Sequence, residues 1–185
     1  DAFTVLFDGT TNIAGSVTAA SFIGDGSQLT NLPTSGISPF SLNDTSGNGI
    51  ESETNVASGI FSIAMGNDTT ASGTESTAMG ISTVASGGIS TALGNQTEAS
   101  GQSSLSGGEF SIASGINSVA IGSVTIASGI ESTAFGKNTE ASGDRSTAIG
   151  QFTQAIGQAS TATGANSIAS GQFSTAIGYG STEEY

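Results

Sequence analysis

Small and variable positions alternate along most of this chain in a strict seven-residue frame. Glycine occupies position 59 and every seventh position onward to Gly178, eighteen times without a gap. Two residues before each glycine stands Ala in seventeen of the eighteen heptads, with Ser106 the departure. Four before it stands Ser or Thr, again in seventeen, with Asn55 the departure. The unit is G-x-x-[S/T]-x-A-x, and a repeat of this regularity predicts an array of identical small elements.

The residue directly before each glycine sorts the heptads into two alternating series. One carries Ser58, Ser72, Ser86, Ser100, Ser114, Ser128, Ser142, Ile156 and Ser170; the other carries Met65, Met79, Leu93, Gly107, Ile121, Phe135, Ile149, Thr163 and Ile177. The true period is therefore fourteen residues, in two unlike halves. A glycine in every heptad would cost a helix about 1 kcal/mol each relative to Ala, and no a/d apolar seam exists, so a coiled coil is excluded. Collagen needs glycine at every third residue and far more proline than Pro33 and Pro39 supply. A strand S-x-A-x-G with a two-residue corner remains, the glycines providing the positive φ of a tight turn. Two strands and two corners make one coil of a flat, all-β solenoid.

Side chains alternate across a strand, so Ser/Thr, Ala and Gly share one face and the variable residues the other. The variable face holds Glu98 and Glu140, and burying these carboxylates in a dry interior would cost several kcal/mol each. The small face is thus predicted to point inward, with its hydroxyls bonding along the stack. Met65, Met79, Leu93, Ile121, Phe135, Ile149 and Ile177 then form an outward apolar stripe, one residue per coil. With coils about 4.8 Å apart, nine coils spread it over roughly 40 Å. An exposed apolar ribbon of that length predicts a contact surface, and three rolls meeting on one axis is the simplest closed fibre. The opposite arrangement, with the stripe filling the roll's own core, requires Glu98 and Glu140 to escape burial by distortion.

Composition narrows the function. Two basic residues, Lys137 and Arg145, face fifteen acidic ones, for a net charge of −13, which argues against nucleic acid and anionic membrane surfaces. With no Cys and no His, disulfides, Cys/His zinc sites, a Ser-His-Asp triad and a Cys-His dyad are all excluded. Glu98, Glu140 and Asp144 could pair as carboxylates only by chance of the repeat; no enzyme, catalytic residue or cofactor is predicted. Asp8 in "FDGT" and Asp25 in "GDGS" are read as tight-turn residues rather than as Ca²⁺ ligands, the EF-hand spacing being absent. No run of eighteen apolar residues and no signal peptide appears, so no membrane insertion is expected of this segment.

"NSVAIG" at Asn117–Gly122, "ESTAFG" at Glu131–Gly136 and "STAIG" at Ser146–Gly150 resemble the head repeats of trimeric autotransporter adhesins, the YadA-like heads. The resemblance spans about residues 54–178. It implies a left-handed parallel β-roll, a homotrimeric fibre, no catalytic centre, and attachment to a host surface protein or glycan. In collagen-binding members the N-S-V-A-I-G motif contributes to the binding surface, which places Asn117 among the partner-binding candidates; Asn117, Ser118, Val119, Ala120, Ile121 and Gly122 match it once. The stretch Gly15–Pro33, "GSVTAASFIGDGSQLTNLP", resembles a module of phage tail fibres and related virion appendages. The domains expected are a small non-repeat β module at 1–33, a Gly/Ser/Asn/Asp-rich connector at 34–53, the roll at 54–178 and a continuation at 179–185. Starting at Asp1 without Met, the chain reads as a segment of something longer.

The function expected is that of an extracellular fibre segment, on a cell surface or a virion, that mediates attachment. The alternative is a tail-fibre or head-fibre shaft whose receptor site lies elsewhere. A third reading, an ice-binding solenoid, rests on the rank Thr77, Thr91, Thr133, Thr147, Thr161 and Thr175, but each lies two residues from the apolar stripe on the same face. Phe61, Phe110, Phe152 and Phe173, all at the second corner position, join Asn117 as candidates for touching a partner. Two stretches break the frame: "SSLSGGEF", Ser103–Phe110, loses the Ala and the apolar residue, and "QAIGQASTATG" exchanges Ile156 and Thr163.

Overall fold

The computed structural model describes residues 41–42, 50–51 and 54–183. The expected module at 1–33, Asp8, Asp25 and most of the connector lie outside these residues. The described part is all-β. Nine five-residue strands, from Ile63–Asn67 to Thr175–Tyr179, alternate with ten two-residue strands, from Val56–Ala57 to Thr182–Glu183. The long strands stack into one parallel sheet and the short ones into another, in an unbroken register of fourteen, as where Thr133 faces Thr147 and Phe135 faces Ile149. The predicted solenoid of two-strand coils is thus observed. The two halves differ more than the heptad suggests, since the half that ends in Ser-Gly keeps only x-A as strand. At the N-terminal end, Ile50–Glu51 extends the long-strand sheet beside Ile63 and pairs antiparallel with Ser41–Leu42.

The interior follows the small face. Seventeen repeat alanines are buried, as are the inward Ser and Thr residues. So narrow a core contributes little apolar area, and the lateral hydrogen bonds between coils carry the architecture, each repeat holding only its neighbours. Val56 N–H donates to the Thr69 carbonyl at 2.9 Å and Ile63 N–H to that of Ser76 at 2.9 Å. The interior also has two sides. Under the long strands every inward hydroxyl residue is Ser, from Ser62 to Ser174; under the short strands it is mostly Thr, from Thr69 to Thr153. Thr is the largest fully buried side chain in the roll, and its methyl fills space that Ser leaves open.

Hydroxyl bonding along the stack is sparser than expected. Thr125 Oγ1 donates to Ser111 Oγ at 2.8 Å and Ser181 Oγ to Ser167 Oγ at 3.1 Å, whereas thirteen buried hydroxyls, Thr83 and Ser146 among them, make no hydrogen bond with the protein. Stacking at about 4.8 Å exceeds an O–H···O bond of about 2.8 Å, so hydroxyls in register do not meet unless a side chain leans toward the next coil. Where Asn or Ser replaces Thr on the short-strand side, the polar atom instead crosses the interior. Asn55 Nδ2 donates to the Gly66 carbonyl at 3.0 Å, Ser111 Oγ to Gly122 at 3.1 Å and Ser167 Oγ to Gly178 at 2.9 Å.

The corners correct the expected role of glycine. The left-handed conformation belongs to the second residue after each repeat glycine: seventeen non-glycine residues, from Phe61 to Phe173, hold φ of 50 to 60°. Glycines of the long strands have φ of 102 to 141° at the fourth strand position, and those following Ser are not in the positive region. What all the stacked glycines share is closeness. A Cβ on any of them up to Gly164 would lie 1.8 to 2.1 Å from the carbonyl oxygen of the next coil's glycine. After the Ser-series glycines the corner is a four-residue β-turn, with Ser62 N–H donating to Gly59 and Ser76 N–H to Gly73, both at 3.2 Å. Its third residue takes the positive φ, as in a type II turn. The left-handed residue is tied to the preceding coil by its own N–H, as Ile89 is to Thr74 at 2.7 Å.

Candidate contact surfaces

Alternation along the five-residue strands turns the stripe outward. Met79 is 39% exposed, Phe135 50% and Ile177 69%, while the alanine before each is buried. Met65 and Ile121 are half-buried, and Leu93 and Ile149 are exposed. All seven residues therefore share one outer sheet face in register, and the arrangement with the stripe inside the roll does not occur. The threonine rank lies on the same face; all but the exposed Thr175 are half-buried. Glu98 and Glu140 stand on the outer face of the short-strand sheet, exposed and half-buried respectively.

The frame departures prove to be structured. Ser106, inward in place of Ala, donates its hydroxyl to the Ser111 carbonyl at 2.7 Å, so a polar node of Ser106, Ser111 and Thr125 crosses the roll where the stripe has its gap. At Gly107 the flanking Ile121 side chain closes over the missing residue, its nearest carbon 3.7 Å from where a Cβ would stand. Ile156 is exposed on the short-strand face, and Thr163 is half-buried in the stripe.

The corner candidates separate onto two edges. Phe61, Asn117 and Phe173 follow Ser-series glycines and share one edge; Phe110 and Phe152 follow the other series and share the opposite edge. All are exposed. They do not gather into one aromatic patch, because the fourteen-residue coil brings together only residues that differ by multiples of fourteen. In the single N-S-V-A-I-G copy, Ser118 and Ala120 are buried and Val119 and Ile121 half-buried, so only Asn117 is freely presented. Reading columns at intervals of fourteen exposes what a linear reading missed: Ile116 and Ile130, exposed side by side at the first corner position, and a depression lined by Val124, Ile126, Asn138, Glu140, Phe152 and Gln154. Among the described residues no group of three or more Asp or Glu gathers as a metal site. Asp144 instead accepts a hydrogen bond from Ile130 N–H at 2.9 Å.

A parallel two-sheet roll with an Ala/Ser/Thr interior, stacked glycines and one apolar outer stripe defines a structural β-solenoid repeat fold. The YadA head domain repeat matches the chain at residues 57–83, 71–97, 99–124, 127–153 and 155–181, and the chain belongs to that family. Head repeats of this kind build surface-exposed, adhesin-like fibres. No curated protein matches the chain.

Proposed function

We propose that this chain is the head segment of a homotrimeric surface fibre that attaches to a host protein or glycan. The observation that carries the trimer is the stripe, an apolar rank interrupted only at Gly107 and Thr163 and left open to solvent on a single roll, which three rolls bury by facing one axis. The family's head domains form trimers in general, which supports the same assembly. Attachment follows from repetition: three identical outer surfaces give many weak contacts, and effective concentration supplies the affinity that no deep pocket provides.

Sedimentation equilibrium of the purified chain is expected to give three times the monomer mass, and a stable monomer would overturn the assembly. Retention of the trimer on host cells is expected for the adhesin. The separation of Phe61, Asn117 and Phe173 from Phe110 and Phe152 favours a second reading, a cell-borne or virion shaft that acts as a spacer. Under that reading the trimer forms and is not retained. Thermal hysteresis by the intact trimer would favour the ice-binding reading over both.

A further inference from the structure

The edge that carries Phe110 and Phe152 is uneven. Its left-handed corner residues run Phe110, Val124, Asn138, Phe152 in successive coils, and beside Phe152 the shorter Asn138 and Val124 border a depression of about 360 Å³. One wall is the exposed Phe152 ring, the other is Val124 with Ile126. Glu140, half-buried, lies between Ile126 and Gln154 in the short-strand register. Gln154 Nε2 donates to Glu140 Oε2 at 3.1 Å, which orients the carboxylate. Oε1 has no partner among the described residues. Lys137, the residue before Asn138, is exposed and makes no ion pair with Glu140 within 4.0 Å.

We propose that this depression binds the guanidinium group of an arginine presented by a basic protein partner. Three features select that chemistry. A neutral occupant such as a sugar would strip water from Glu140 and leave its charge unpaired, whereas a cation compensates it. The Phe152 face adds a cation–π contact, and a planar guanidinium can stack on the ring while donating to Oε1 and to the Asn138 amide oxygen. The net charge of −13 draws cationic partners to the whole surface. The site lies on the corner and short-strand side, away from the apolar stripe proposed for the axis. It rests on the attachment reading for its biological use, and it names the partner class of that reading.

The test titrates acetyl-Gly-Arg-Gly-amide, and its neutral citrulline analogue, into the full chain while the Phe152 ring and the Asn138 and Gln154 side-chain amides are followed by NMR. Saturable shifts with the arginine peptide that fade as salt is raised are expected, together with at least tenfold weaker binding of the citrulline peptide. Glu140→Gln is expected to weaken binding at least tenfold with an unchanged melting curve; Asn138→Phe, which fills the depression with a residue this column already carries, is expected to weaken it as much, with strand content kept and a somewhat lower melting temperature because Asn tolerates the left-handed φ of 51° better than Phe. Equal binding of both peptides, unchanged binding in Glu140→Gln, or shifts produced by glucose and not by arginine would overturn the proposal. If arginine binds and the trimer is still not retained on cells, the attachment reading fails and the site stands.

Discussion

Gly87 and Gly88 are neighbours in sequence, yet a methyl group on the first would lie 2.1 Å from the Gly101 carbonyl oxygen, and on the second it would meet nothing within 4 Å. The first is glycine because two coils touch there; the second is an ordinary corner residue outside the positive-φ region. Gly87→Ala is therefore expected to lower stability by about 3 kcal/mol or more, since backbone on both sides must give way. Gly88→Ala is expected to raise it by about 0.4–1 kcal/mol through the unfolded chain. Urea midpoints of the two variants check the pair, and equal effects would show that stacking distance is not what the repeat glycine serves. The seven-residue spacing of glycine is plain in the sequence. Its cause is not, because the atom a side chain would strike lies fourteen residues away.

At the corners the backbone holds a conformation its residues do not favour. Left-handed φ costs an ordinary L-residue about 1–2 kcal/mol and is worst for β-branched side chains, yet Ile89 and Val124 hold φ of 59 and 57°. Lateral hydrogen bonds impose it: Ile89 N–H reaches Thr74 at 2.7 Å and Val124 N–H reaches Glu109 at 2.8 Å. Val124→Asn and Ile89→Gly relieve the strain and are each expected to stabilise the roll by about 1 kcal/mol, visible as a higher melting temperature with unchanged circular dichroism. A loss of stability in both would mean that these side chains pack usefully on neighbouring coils. The variability of these positions in sequence hid their uniform backbone, since only the hydrogen-bond ladder dictates it. The Ser side and Thr side of the interior were present in the letters, but they gain meaning only once long and short strands are seen to face each other.

For the whole molecule the decisive feature is the stripe, and assembly is where its substitution should tell. Ile149 is exposed at the end of the apolar run Ile121, Phe135, Ile149, with Thr163 on its other side, so Ile149→Lys places three cations together on the proposed axis while leaving the roll's own Ala interior untouched. Sedimentation is expected to show monomers with intact strand content. A trimer of unchanged stability would place the stripe elsewhere than the axis.

The period of fourteen, the inward Ser/Thr and Ala face, the outward stripe and the absence of Cys and His are all legible in the letters alone. Those properties follow from side-chain alternation and composition, which are local. Why glycine recurs, which residue turns the corner, how few hydroxyls bond along the stack, and that Phe152, Asn138, Glu140 and Gln154 share one depression emerge from the wound coils. Each depends on what the next coil places opposite a residue, and the lateral stacking of carbonyls and side chains across coils exists only after the chain has wound.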